Sequence, residues 1–460
     1  MSLFTRRNFI GLSLTALPAW SQEKQTELRY LQPADAGYEA ARRPFNSTIQ
    51  LKPALIACCR TEADVVAAVK HAKEAGMPVA VKSGGHGFIG DSLNDGGLVV
   101  ELSGMANRLL EAGSFRFTAG PGLKLRDCYS WLLKKGRLLP AGSCGGVGLA
   151  GLTLGGGYGL FAREFGLTCD HLLQVRMVDG NGEIHDSRDE PELLWACRGG
   201  GNGNFGVVTS FTFETRPAPP TLSTRKFTAK GLDAGGLAKH LERWFEIASA
   251  LPEPCFSAVI LNWNQATVLL TSTKSAEGSS FVAATKALHQ AGFASKGSLT
   301  KPLADSLKRY EGEPGPLPFD NVSAGFYRGW DELKPAVAGI CATVRGTPGL
   351  IFQVNTLGGA IARESESAYP HRAFGFLGEL QAYWEKGTMP AKLAAGHATV
   401  RQALADAGIR NHYRNYPDSR LSNWGDAYFG NGYARLQALK ARLDPDDRIR
   451  HAQSVRLPGA

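Results

Sequence analysis

The chain has 460 residues, 43% apolar and 20% charged, which is enough for more than one buried core and rules out a disordered chain. Its formal charge of +9 comes from lysines and arginines scattered among acids, with no basic run interleaved with aromatics, so a nucleic-acid partner is not expected. The 55 glycines gather near 83–97, 142–159 and 199–206 instead of repeating, which excludes collagen-like or low-complexity sequence.

The N-terminus, MSLFTRRNFIGLSLTALPAWSQ, sets Arg6 and Arg7 ahead of an apolar run from Phe9 to Leu17. That is the layout of an export signal over residues 1–21, and Thr5-Arg6-Arg7-Asn8-Phe9-Ile10 resembles the twin-arginine kind, used by proteins that fold before crossing a membrane. The expected location is therefore periplasmic or secreted, of bacterial type, with the twin-arginine export machinery as a partner. The apolar run is far below the roughly 20 residues of a membrane span, and no later stretch reaches that length. Eight cysteines show no CxxC pair and no zinc-like spacing, so neither a metal site nor a dense disulfide framework is expected.

From Thr61, TEADVVAAVKHAKEAG opens with a hydroxyl cap and Asp64 three residues on, and ends at Gly76, which predicts an amphipathic helix. MPVAVK and GLVVEL then predict two short strands flanking the loop SGGHGFIGDS. LLQVRMVDGNGEIHD predicts a hairpin turning at Asp179–Gly182, and GVVTSFTFET a strand with Val207, Thr209, Phe211 and Phe213 on one side. RPAPPT, at 216–221, marks a domain boundary. Beyond it, FSAVILNWNQATVLLTSTKS predicts an antiparallel hairpin, and GGLAKHLERWFEIASAL and SFVAATKALHQAG predict helices, so a second domain has its own sheet and helices. The final helix stops at Pro445.

Three glycine segments carry the candidate chemistry. Gly201-Asn202-Gly203-Asn204-Phe205-Gly206 has the letters of a dinucleotide fingerprint, but a strand-like run follows where a helix is required, so a nicotinamide site is not expected. GSCGGVGLAGLTLGGGYGLFAREFGL, from Gly142, can bring successive backbone N–H groups against an anion without Cβ interference; a pair of tight turns between packed strands has the same composition. Taken singly, His86 reads as a structural histidine and Cys144 as a small buried apolar residue. Together they are two nucleophiles in glycine loops, side chains able to bond to an electrophilic cofactor.

With SGGH at 83–86, GSCGGVGLAGLTLGGGYG at 142–159, LLWACRGGGNGNFGVVTSF at 193–211, GGAIARESESAYPHR at 358–372 and the closing NYPD…YFGNGYARLQALKARLDP, the chain resembles the berberine bridge enzyme-like flavoproteins of the vanillyl-alcohol oxidase superfamily. The resemblance implies an α+β fold: a two-subdomain PCMH-type FAD-binding module at 22–215, a substrate domain at 216–410 built on an antiparallel sheet covered by helices, and a segment at 411–460 that returns to the flavin module. It implies FAD bonded through His86 to the 8α-methyl carbon and through Cys144 to C6. Ser83, Gly84, Gly85 and Gly87 are then expected at the pyrophosphate, with Gly142, Gly148, Gly156 and Gly157 assisting, Val207 near the ribityl or adenine side, and Lys82 where many relatives have Arg.

The implied activity is removal of a hydride from an alcohol or saccharide-like hydroxyl carbon of a small-molecule substrate, with O2 as acceptor and hydrogen peroxide as product. An amine or alkaloid oxidase, a dehydrogenase of the same family and a non-catalytic flavin carrier are the alternatives. Tyr416 and then Tyr413 are the expected bases, provided a cation or hydrogen-bond donor favours a phenolate whose ordinary pKa is ~10. Val147 takes a position that borders the oxygen-facing side of the flavin, where Val goes with oxidases and Leu with dehydrogenases. Trp263, Phe352, Gln353, Asn355, Tyr369, Tyr383 and Trp384 are the candidate substrate walls, a mix of aromatic faces and amides suited to a hydroxylated ring. The chain departs from its relatives at Gly145 and Gly146, which stand where Pro and Thr commonly follow the cysteine, and at Gly432, where Asn is frequent. The glycine pair is expected to loosen the Cys144 loop.

Overall fold

The computed structural model describes residues 27–459, so the expected export signal at 1–21 lies outside the described residues. Three larger sheets, beside a two-stranded pair of Arg137–Leu138 with Arg216–Pro217, organise the described residues. The first is four-stranded, in the order Arg29–Leu31, Leu55–Cys58, Leu98–Glu101, Val79–Lys82, with its last three strands parallel. The helix Glu62–Glu74 supplies the crossover; Thr61 caps it, its Oγ1 accepting from the N–H of Asp64 while Asp64 accepts from Thr61. A five-stranded antiparallel sheet follows, in the order Arg108–Leu110, Arg116–Ala119, Gly206–Glu214, Leu172–Asp179, Ile184–Asp186. The helix fills the seam between the two: Val65, Val69 and Ala72 pack with Val79 and Val100 of one sheet and Val178 and Val207 of the other. Burying those methyl and isopropyl groups, at about 25 cal/mol per Å², joins the two halves into one module.

Strand Gly206–Glu214 does not alternate as its sequence implies. A bulge between Val208 and Ser210 inserts one residue, so Val207 faces the helix while Val208, Phe211 and Phe213 share the opposite side, and Thr209 donates to Glu62 at 2.6 Å. An extra residue in a ladder reverses side-chain parity beyond it.

The third sheet is seven-stranded and antiparallel, in the order Ala294–Pro302, Thr221–Ala229, Gln265–Ser272, Cys255–Asn262, Leu350–Thr356, Phe376–Ala382, Val322–Tyr327. Helices Ala234–Ser249, Ser279–Gln290, Trp330–Gly346 and Ala391–Asp406 cover one face, where Val259, Leu261, Phe352, Val354, Leu380 and Ala382 form the core with them. The alternate residues, Ala258, Gln353, Asn355 and Glu379, face the glycine loops at 83–87 and 142–159 across a cavity. The chain then returns: Val79 donates to the Arg448 carbonyl and accepts from Arg450, and helix Tyr433–Leu443 packs Leu436, Leu439 and Leu443 into the core of the five-stranded sheet. The eight cysteines, all among the described residues, are free thiols. Among the described residues no helix is long and apolar enough to cross a membrane.

Candidate active site

A cavity of about 1100 Å³ lies between the glycine loops and the open face of the seven-stranded sheet. Its floor is the loop after strand Val79–Lys82. Among the described residues, the N–H groups of Gly84, Gly85 and Gly87 find no carbonyl partner, while the Gly85 carbonyl accepts from Phe45. The loop is pressed against Gly148 so closely that a Cβ on Gly84 would stand 2.3 Å from the Gly148 nitrogen. Only glycine permits that approach, and Gly85, at φ +66°, also needs the left-handed region.

His86 and Cys144 both line the cavity. The imidazole stacks on Phe45, with centroids 4.2 Å apart and planes at 15°, and burial, helped by Lys124, drops its pKa to about 4. It is therefore neutral at physiological pH, with a lone pair to offer. Burial raises the Cys144 thiol, while the N–H groups of Gly146 and Val147 and the Arg126 guanidinium pull it back down. Gly145 and Gly146 sit where the Cys144 loop meets its neighbours. They let neighbours close in: a Cβ on Gly146 would lie 2.7 Å from His86 Nε2, and one on Gly145 would lie 3.2 to 3.3 Å from Arg126 and Glu311.

The far wall holds ionisable groups. The hydroxyls of Tyr416 and Tyr158 are 2.5 Å apart, and the Tyr416 ring lies parallel to Phe88 at 5.4 Å. Glu379 lies buried beside Tyr416 and Gln381, whose hydroxyl and amide favour its charged form; burial dominates and lifts its carboxyl to about 7. The same burial, reinforced by Glu379, holds the Tyr416 phenol well above 10. No cation stands beside Tyr416: its charged neighbour is the Glu379 carboxylate, and the one hydroxyl able to donate to its oxygen is that of Tyr158. Tyr413 also reaches the cavity, but its oxygen accepts from the Gly157 N–H and the Asn415 amide, each at 3.0 Å, and its pKa is pushed up to about 12.

An FAD binding domain model matches residues 53–188, and a berberine and berberine-like model matches 412–456. The chain is 30% identical to the aclacinomycin-N/aclacinomycin-A oxidase of Streptomyces galilaeus, over 91% of this chain and 87% of that one. The protein is a berberine bridge enzyme-like FAD-linked oxidoreductase. It is also 28% identical to an uncharacterized FAD-linked oxidoreductase of Bacillus subtilis over 93% of this chain and 97% of that one. The solved structure of a chitooligosaccharide oxidase superposes with a TM-score of 0.86 at 25% identity, covering 94% and 98% of the two chains.

The residues of this oxidoreductase fit FAD. The cavity exceeds the usual small-molecule pocket of roughly 300–1,000 Å³. The free N–H groups of the 84–87 loop form a cradle suited to a diphosphate, and Ser92 Oγ and Asn202 Oδ1 stand buried and unpaired at the wall. Ser83, Gly87, Gly142 and Val147 also line the cavity.

Gly156, Gly157, Lys82 and Val207, also expected at the cofactor, do not line the cavity. The Gly156 N–H donates to Thr153 and the Gly157 N–H to Tyr413, while Tyr369 and Thr168 close over the two glycines, so neither faces a diphosphate. Lys82 lies buried under Gly85, behind the loop, and Val207 faces the helix side of its strand, with its neighbours Gly206 and Val208 at the cavity wall.

Of the substrate candidates, Gln353, Asn355 and Tyr383 line the cavity, and Tyr383 accepts from Asn321 at 2.7 Å. Phe352, one residue out of phase, points into the helix-side core, and Trp384 packs there with its Nε1 donating to Gly387. Trp263 is 48% exposed at a hairpin tip, and Tyr369 is buried against Gly156 and Gly199. Sequence reasoning missed Glu379, Tyr158 and Asn321. Glu379 alone had a local signal: a carboxylate in the otherwise uncharged strand FLGELQA.

Proposed function

We propose that the protein is an FAD-dependent oxidase that carries its flavin covalently on His86 and Cys144 and oxidises an alcohol or saccharide-like hydroxyl, with O2 as acceptor and hydrogen peroxide as product. Bound FAD supplies the two-electron acceptor. The observation that carries the reading is the Glu379–Tyr416–Tyr158 trio in the wall of the cavity that His86 and Cys144 also line.

Near pH 7 Glu379 is about half ionised, so its carboxylate can draw the Tyr416 phenol proton while Tyr416 takes the proton of a substrate hydroxyl. Tyr158 orients the phenol through its 2.5 Å hydrogen bond. The proton acceptor is thus Glu379, and Tyr416 relays to it. Phe88, Phe319 and Phe45 screen the relay and His86 from water. Amides select a hydroxylated substrate: Gln381 donates to Gln353, Gln353 donates to Asn355 Oδ1 at 2.9 Å, and Asn355 Nδ2 remains an unpaired buried donor at the cavity wall. A buried donor without a partner costs about 1–3 kcal/mol, which a ligand oxygen would recover. The name of the chitooligosaccharide oxidase points to the same substrate class. Export through the twin-arginine route, carried by the N-terminal segment, belongs to the same proposal.

The test is anaerobic mixing with panels of sugars, alcohols and amines. Bleaching of flavin absorbance by a hydroxylated substrate, with recovery and peroxide on admitting air, is the expected result; bleaching by amines alone overturns the substrate reading. The mass of the denatured protein should include one FAD, lost only when both His86 and Cys144 are replaced.

A further inference from the structure

The segment Glu311–Leu317 leaves the substrate domain, crosses the cavity wall and touches the surroundings of both candidate attachment residues. At its start the Gly145 N–H donates to the Glu311 carbonyl at 3.0 Å, the Gly145 carbonyl accepts from the Arg126 N–H at 3.0 Å, and Arg126 Nε donates to Glu311 Oε2 at 2.9 Å. Gly312 sits against the thiol: a Cβ there would stand 3.0 Å from Cys144 Sγ, and its φ of +76° already excludes most side chains. At its end Leu317 exchanges backbone hydrogen bonds with Phe45 and Ser47, each 3.1 Å, and the Phe45 ring carries the His86 imidazole. Pro314 and Pro316 stiffen the span between.

We propose that this strap positions Cys144 for bonding to the flavin, with Glu311, Arg126 and Gly312 as positioning residues, so that the second attachment requires the substrate domain to be docked. The inference rests on the two-bond reading above.

The chemistry constrains geometry tightly. The Cys144 sulfur bonds to C6 of oxidised flavin; the thiol proton and the displaced C6 hydrogen end on the ring nitrogens with the electron pair, leaving reduced flavin. O2 then takes two electrons and two protons and leaves as hydrogen peroxide. Nothing in this step needs Glu311 or Arg126 as acid or base. What it needs is a sulfur held in line with one ring carbon, and reactions of that kind lose roughly tenfold to a hundredfold when the reacting atom is displaced by about 1 Å. A half-exposed ion pair adds only about 0–1 kcal/mol of stability, so breaking Arg126–Glu311 leaves folding nearly intact.

The experiment compares the parent with Gly312→Ala, with Arg126→Glu, and with the swap Arg126→Glu plus Glu311→Arg, all purified after expression in limited air and then aerated. Peptide mass mapping reads the flavin-bearing fraction at Cys144 and at His86 over time, and thermal melting reports folding. The expected result is attachment at Cys144 slowed roughly tenfold or more in the first two variants, restored toward the parent rate by the swap, with His86 attachment and melting little changed. Unchanged Cys144 attachment in both variants overturns the proposal, as does parallel loss at His86 with a lowered melting point, which would mark a general folding defect. Failure of the swap to restore the rate overturns the role of the ion pair. A parent bearing no flavin on Cys144 overturns the two-bond reading itself, before any variant is compared.

Discussion

The His86 imidazole occupies the space that a side chain on Gly146 would need: a Cβ there would fall 2.7 Å from Nε2. The two candidate attachment loops, separated by nearly 60 residues of chain, are thus built against each other. Glycine in the cysteine loop serves close approach between the two.

That packing makes a first prediction. Gly84→Ala would place a Cβ 2.3 Å from the Gly148 nitrogen, where backbone on both sides blocks relief. Protein purified from this variant should carry little flavin, read from the ratio of 450 nm to 280 nm absorbance. Full loading would mean the two loops are not a rigid cradle.

Glu379→Gln removes the proton acceptor. Anaerobic flavin reduction should slow by about 10²–10⁴-fold, the usual worth of a positioned base. In the parent the rate should rise with pH through about 7 and level off above it, because the base must be ionised; the variant should lose that rise.

The same residue predicts a stability effect of definite sign. Its carboxyl is raised in the folded protein from about 4.5 to about 7, so the folded state binds the proton more tightly and loses stability as pH climbs through that window. The full penalty above it is about 3 kcal/mol, at 1.36 kcal/mol per pH unit. Glu379→Gln should therefore melt higher than the parent at pH 8 and nearly alike at pH 4, which differential scanning calorimetry can check.

Tyr416→Phe and Tyr413→Phe should separate. The first breaks the relay and should slow reduction by about 10²-fold with a modest change in melting. The second leaves the Gly157 N–H and the Asn415 amide without their acceptor, costing roughly 1–3 kcal/mol of stability, and should affect reduction much less. Equal rate losses in both would remove the assignment of Tyr416 as relay.

Val147 lines the cavity three residues beyond Cys144. Val147→Leu should slow reoxidation of reduced enzyme by O2, measured by stopped-flow in air-saturated buffer, while leaving reduction by substrate nearly unchanged.

The helix Glu62–Glu74, the hairpin at Asp179–Gly182 and the hairpin through Trp263 follow from caps, turn residues and alternation, because these signals act within a few residues of chain. The glycine cradle was legible for a similar reason: glycines in sequence announce a backbone that something must approach. The substrate wall was harder. Gln353 and Asn355 lie on one face of their strand and Phe352 on the other, and aromatic or amide character does not say which face is the cavity's. Val207 and Thr209 do not share a side with Phe211 and Phe213 because a one-residue bulge between them reverses parity without any mark in the alternating letters.

By itself the sequence determined the local elements and the two nucleophiles among glycines, since each depends on torsional preference or on the chemistry of neighbouring residues. Tertiary structure alone decided that Glu379, Tyr416 and Tyr158, drawn from three distant segments, meet in one buried wall. Burial in that wall raises the carboxyl to about 7 even though Tyr416 pulls it down, because desolvation is a property of the surrounding packing and not of the residue.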